Sequence, residues 1–164
     1  MPKAPQQFTP SPRAQPTDLI KTSYGAADAL ISQINKTLSP EESAFITATL
    51  VNINRLDESS PLGRLISEHL SARFTQAGYR IVETKLRTQI YLKRDTGELA
   101  LSREIREIAK KHSVRAIISG TYTESLNRVF VSLKIIEIEK NVVMAAFDYV
   151  LEKDALVKSL LNPT

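Results

Sequence analysis

Cysteine is absent from the 164-residue chain, which excludes disulfides, thiolate metal sites and a cysteine nucleophile. Histidine occurs only at His69 and His112. Two imidazoles without a close carboxylate cluster do not make a transition-metal site. Glycine is also scarce, at five residues. None clusters behind a predicted strand, where backbone amides would have to close on a phosphate. The stretch after the first predicted strand reads NINRLDESSPLGR, with its one glycine already inside the next helix. No apolar run approaches the ~20 residues that a membrane-spanning helix requires. The first residues also lack the charged and apolar regions of a secretory leader.

What is present is the composition of a globular domain, 42% hydrophobic and 24% charged. The net charge of +4 is unevenly spread. Lys3 and Arg13 lie in an acid-free tail, which leaves 20 basic against 18 acidic residues in the remainder. Residues 80–115 hold ten basic and five acidic side chains. That excess suits either an acidic partner or an ordinary solvated helix and loop.

The opening MPKAPQQFTPSPRAQP contains five of the eight prolines and one large apolar residue, Phe8. Such a segment favours an extended backbone and has little to bury. Residues 1–16 are therefore expected to be a disordered tether, and residues 17–164 a single domain. Thr17 or Asp18 caps a helix over 19–38, whose apolar stripe is Ile20, Tyr24, Ala27, Ile31, Ile34 and Leu38. A strand follows at 44–53. Ser60-Pro61 then starts a second helix that buries Leu62, Leu65, Ile66, Leu70, Phe74 and Ala77 and stops at Gly78.

A second strand is expected at 79–86, then a loop with a turn at Asp95-Thr96-Gly97 and a short hairpin or helical turn. Ser102 caps a third helix over 103–112. Strands at 114–123, 128–139 and 141–151 are joined by connections too short for anything but an antiparallel meander. A short helix closes the chain at 154–161. The predicted fold class is mixed α/β, in two or three layers, with the order α-β-α-β-α-β-β-β. Helical crossovers make the first three strands parallel.

No constellation for catalysis emerges. His69 lies beside an apolar stripe, and His112 ends a helix where its charge suits the dipole. Glu137 and Glu139 flank a hairpin turn, where solvated carboxylates are ordinary. An enzyme is not expected, and neither is a cofactor. A nucleic-acid or anion-binding role would rest on Arg87, Tyr91, Lys93 and Arg94 with Arg103, Arg106, Lys110 and Lys111. Acids interrupt that run and Tyr91 is its lone aromatic, so it stands as the alternative reading, that of a cytosolic module.

Four ordered stretches, SSPLGRLISE at 59–68, GYRIVE at 78–83, GELALSRE at 97–104 and GTY at 120–122, resemble the FlgO family of flagellar outer-membrane-associated proteins. The resemblance spans residues 24–153. More distantly, the architecture is similar to the N-terminal domain of TolB and to CsgG-like periplasmic domains. What the resemblance implies is a non-catalytic envelope protein with a part in flagellar motility, in the periplasm or at the outer membrane. It further implies an export leader and lipid anchor preceding Met1, with the proline-rich tail as spacer. Partners would be proteins of the flagellar outer-membrane region or further copies of the chain, with no nucleic acid.

With no chemistry to carry, function is expected on a surface. The candidates are Arg87, Tyr91 and Arg94 in the loop before Ser102, and Val143, Ala145, Phe147 and Tyr149 on the final strand, which is apolar for an exposed sheet edge.

Overall fold

The structure, a computed structural model, describes residues 16–83, 91–93 and 99–162. Their elements run α1 (Leu19–Ile34), β1 (Ala44–Thr47), β2 (Val51–Asn52), α2 (Pro61–Gln76), β3 (Arg80–Ile81), β4 (Tyr91–Lys93) and β5 (Leu99–Leu101). Then follow α3 (Arg103–His112), β6 (Val114–Glu124), β7 (Arg128–Glu137), β8 (Val142–Glu152) and α4 (Ala155–Leu161). The expected tether lies outside the described residues, apart from Pro16. Beyond Glu83, the expected second strand does too.

The main sheet has the order β3-β1-β6-β7-β8, with β2 also paired to β6. β1 runs parallel to β3 and β6, whereas β6, β7 and β8 form the antiparallel meander. The chain steps outward from β1 through α2 to β3, then back across β1 through α3 to β6. Right-handed crossovers in opposite directions put their helices on opposite faces. Two buried clusters result. One joins α1, α2 and α4 to the sheet through Leu30, Phe45, Leu62, Leu70, Ile118 and Leu133. The other lies under α3, with Ile46, Ile105, Ala109, Ile117 and Ile136.

The caps expected at Asp18, Ser60 and Ser102 form, and Asp154 adds a fourth. The side chains of Asp18, Ser60, Ser102 and Asp154 accept from the amides of Lys21, Gly63, Ile105 and Val157. Each such cap contributes about 1 kcal/mol by satisfying an orphan donor. The α2 end is held by an aromatic trio. Phe45, Phe74 and Tyr79 lie 5.3–5.6 Å apart between ring centres, and the Tyr79 hydroxyl donates to the Leu38 carbonyl at 3.0 Å.

Two expectations are corrected. α1 ends at Ile34, and its buried line is Leu19, Ser23, Ala26, Ala27, Leu30 and Ile34. Ile20, expected inside, is 54% exposed. The reason is that α1 packs against both α2 and β8, which turns Tyr24 to the seam with α2. There the Arg73 guanidinium lies 5.2 Å from its ring centre, and Gln76 donates to its hydroxyl.

The strand at 44–53 is also broken in two. Leu50 leaves the ladder, and its backbone is satisfied by side chains instead. Its amide donates to Ser67 Oγ at 2.9 Å, and its carbonyl accepts from Ser59 Oγ at 2.6 Å. The Leu50 carbonyl would lie 2.6 Å from a Cβ at position 63, so Gly63 is what allows α2 this close.

Candidate interaction surface

Side-chain alternation decides what each face of the meander presents. Val129, Val131, Leu133 and Ile135 of β7, with Ala145 and Leu151 of β8, are buried against the helical layer. The alternate residues face the other way. Among the described residues, α3 covers that second face toward β1, the start of β6 and the end of β7. Among the described residues, no helix lies over the far half of the three strands.

Strand register sorts this bare area into rows. Thr123, Phe130 and Val150 are cross-strand neighbours, and Thr121, Ser132 and Asp148 form the next row. Phe130 is 45% exposed, Val150 46% and the adjoining Ile53 53%. Together these residues line a shallow concavity of about 380 Å³. An apolar row bordered by hydroxyls and one carboxylate is the composition of a protein-docking surface, with an apolar centre and a polar rim.

The candidates from sequence distribute differently. Arg87 and Arg94 lie outside the described residues. The Tyr91 backbone pairs with Leu101 in the β4–β5 hairpin, which supplies the expected hairpin before Ser102. Val143 is exposed near the start of β8. Ala145 is buried, and Phe147 and Tyr149 turn inward beside it, with ring centres 6.1 Å apart. Burial pushes the Tyr149 phenol up, with Ser23 as its polar neighbour. The Tyr149 oxygen nevertheless makes no well-formed hydrogen bond. The side chains of Ala145, Phe147 and Tyr149 thus belong to the packing under α1.

Ile53, Thr121, Thr123 and Phe130 escaped the sequence reading. The signal was available in β7. Arg128, Ser132 and Lys134 mark one face as polar, and Phe130 interrupts that set with a large apolar ring.

On α3, Arg103, Arg106, Lys110 and Lys111 stand against Glu104 and Glu107. Arg103 pairs with Glu107 at 3.1 Å. Arg106 donates to the Ile138 carbonyl at 3.2 Å and shares a groove with Lys110, Arg115, Glu137 and Glu139. Among the described residues, carboxylates thus interrupt the basic run. His69 approaches Ser23 Oγ at 3.3 Å, between α1 and α2. Among the described residues, no group of three or more His, Asp or Glu side chains could hold a metal ion. No helix there is long and apolar enough to cross a membrane.

Comparison with known proteins places this architecture. The chain superposes on the C-terminal domain of LpoB from Salmonella enterica with a TM-score of 0.52 and 12% identity, covering 79% of this chain and 97% of that one. The same domain from Escherichia coli gives 0.52 and 10%, with the same coverage. The solution structure of Escherichia coli LpoB gives 0.50 and 14%, covering 93% of this chain and 82% of that one. At such identities the likeness is one of fold. No curated protein sequence matches. The family model for the FlgO protein matches residues 24–156, most of the chain and all of the sheet, and the chain belongs to the FlgO family.

Proposed function

We propose that this protein is a non-catalytic docking component of the bacterial cell envelope, associated with the outer-membrane-proximal part of the flagellum. It works by binding other proteins on the bare face of the β6–β7–β8 meander. The observation that carries this reading is the row Thr123–Phe130–Val150 with Ile53, left open among the described residues on a sheet whose opposite face packs against α1, α2 and α4. Membership of the FlgO family supports the flagellar setting, and the fold shared with LpoB suits an envelope domain. Residues 1–16 then serve as the spacer between a membrane anchor and the domain. Their exit point is fixed, because Thr17 is tied to Asp154, just beyond the end of β8.

The test is a double variant, Ile53→Glu with Phe130→Asp, in cells of the native organism. Both side chains are exposed, so the fold and its thermal midpoint should be retained. Swimming in soft agar should be lost while the protein still fractionates with the envelope. Wild-type swimming by the folded variant, or recovery of the wild-type protein in the cytoplasm, would contradict the proposal.

A further inference from the structure

β8 ends the sheet, and one residue of its free edge is already occupied. Gln33 of α1 reaches over the edge to Ala146. Its Nε2 donates to the Ala146 carbonyl at 2.9 Å, and its Oε1 accepts from the Ala146 amide at 3.2 Å. The Gln33 carboxamide thereby stands in for one residue of a neighbouring strand.

This contact also fixes the direction of the backbone groups of β8 from Ala145 onward, beyond the register shift at Ile135 and Ile136. In an extended strand, a residue's N–H and C=O point to the same side, and successive residues alternate. Ala146 points outward, so Asp148, Val150 and Glu152 do too. The bond from the next inward position, Lys153 N–H to the Asn127 carbonyl at 2.8 Å, confirms the alternation. Among the described residues, nothing bonds the outward groups of Asp148, Val150 or Glu152. It follows that the outward amide near the middle of β8 is that of Ala146, and the Ala145 amide pairs inward with β7.

On the bare face, the side chains of this free stretch read acid, apolar, acid: Asp148, Val150 and Glu152, the last also lying 3.5 Å from the exposed Arg128 of β7. A strand added here would lengthen the Thr123–Phe130–Val150 row by one residue. It would also set its own side chains directly opposite the two carboxylates. Cross-strand neighbours of opposite charge attract and like charges repel.

A second copy of this chain is a poor occupant. Two-fold antiparallel pairing centred on Val150 would put Asp148 opposite Glu152 at both ends. Residues 1–16 are no better, since their only cations are Lys3 and Arg13 and their five prolines lack ladder donors.

Building on the docking role above, we infer that residues 148–152 accept an extended segment of a partner protein by strand addition. That segment carries Lys or Arg two residues either side of an apolar, β-branched residue. Gln33 is the stop that ends the added strand before Ala146. Strand addition draws affinity from the backbone and specificity from alternate side chains, and both are present here.

The probe is a blocked peptide, Thr-Lys-Thr-Val-Thr-Lys-Thr, added to the isotopically labelled chain. Amide exchange is expected to slow at Asp148, Val150 and Glu152 and to stay unchanged at Ala146. Replacing both lysines of the peptide by glutamate should weaken binding by about tenfold or more. The paired substitution Asp148→Lys with Glu152→Lys should reverse that preference. Val150→Pro removes one outward donor and should abolish binding without disturbing the β7 ladder. Gln33→Ala should extend protection to Ala146.

The inference is overturned if the lysine peptide gives no protection, or if both peptides bind equally. Protection that disappears on dilution without peptide would overturn it too, identifying a second copy as the occupant. Perturbation of Thr121, Phe130 and Ser132 with the three edge amides unprotected would sink strand addition while leaving the docking face standing.

Discussion

At position 63 a methyl group has nowhere to go. An added Cβ would lie 2.6 Å from the Leu50 carbonyl and 2.8 Å from Ser59 Oγ, both fixed by the break between β1 and β2. Gly63→Ala should therefore destabilise the protein by roughly 1–3 kcal/mol. Gly25 is exposed on α1 with nothing within 4 Å of such a Cβ. Gly25→Ala should stabilise by about 0.5–1 kcal/mol, because alanine loses less backbone freedom in a helix. Urea titrations of the two variants check both signs. His69 supplies a pH dependence. Burial holds its pKa below the ordinary value of 6.5, against the opposing pull of the Leu19 carbonyl and Glu68. Below that ordinary value the unfolded chain binds the proton first, so stability falls as the medium is acidified from there. His69→Gln should flatten that part of the stability-against-pH curve, and an unchanged slope would refute the assignment.

Asp154 joins elements that are far apart in sequence. It caps α4 through the Val157 amide at 2.9 Å and receives both the amide and the hydroxyl of Thr17, at 2.8 and 2.6 Å. Burial works to raise its carboxyl, but the hydrogen bonds from Thr17, Val157 and Leu156 outweigh it, and the pKa falls below the usual 3.8. A depressed carboxylate stabilises the fold above its unfolded pKa and loses that contribution as pH falls through the folded value. Asp154→Ala should cost about 1–2 kcal/mol at neutral pH and little at strongly acidic pH. Thermal midpoints across pH measure the difference. This junction was half legible. Asp154 as a helix start follows from its residue type, whereas its tie to Thr17 depends on where the last helix returns. Helix caps, the meander and the parallel first strands were all readable, because they rest on local punctuation and on connection lengths. The rotation of α1 was not, because Ile20 and Leu19 are equally apolar and only contact with α2 and β8 selects between them. The edge of β8 was likewise legible as an edge. That Phe147 and Tyr149 face inward, and that Gln33 blocks Ala146, are consequences of how α1 crosses the sheet.

For the molecule as a whole, the decisive feature is asymmetry. Among the described residues, α1, α2 and α4 cover one face of the sheet along the meander, whereas α3 covers only part of the other. The chain keeps Ile53, Phe130 and Val150 exposed together, beside an edge whose outward backbone groups at Asp148, Val150 and Glu152 have no partner among the described residues. Surfaces of that kind persist where another protein covers them. The most direct measurement is site-specific photo-crosslinking in swimming cells, with the reactive side chain placed at position 130 or 150, or at the exposed Thr75 of α2 as comparison. The account predicts a discrete adduct with a component of the flagellar outer-membrane region from 130 and 150, and none from 75. Equal labelling from all three positions, or no adduct from 130 and 150, would contradict it.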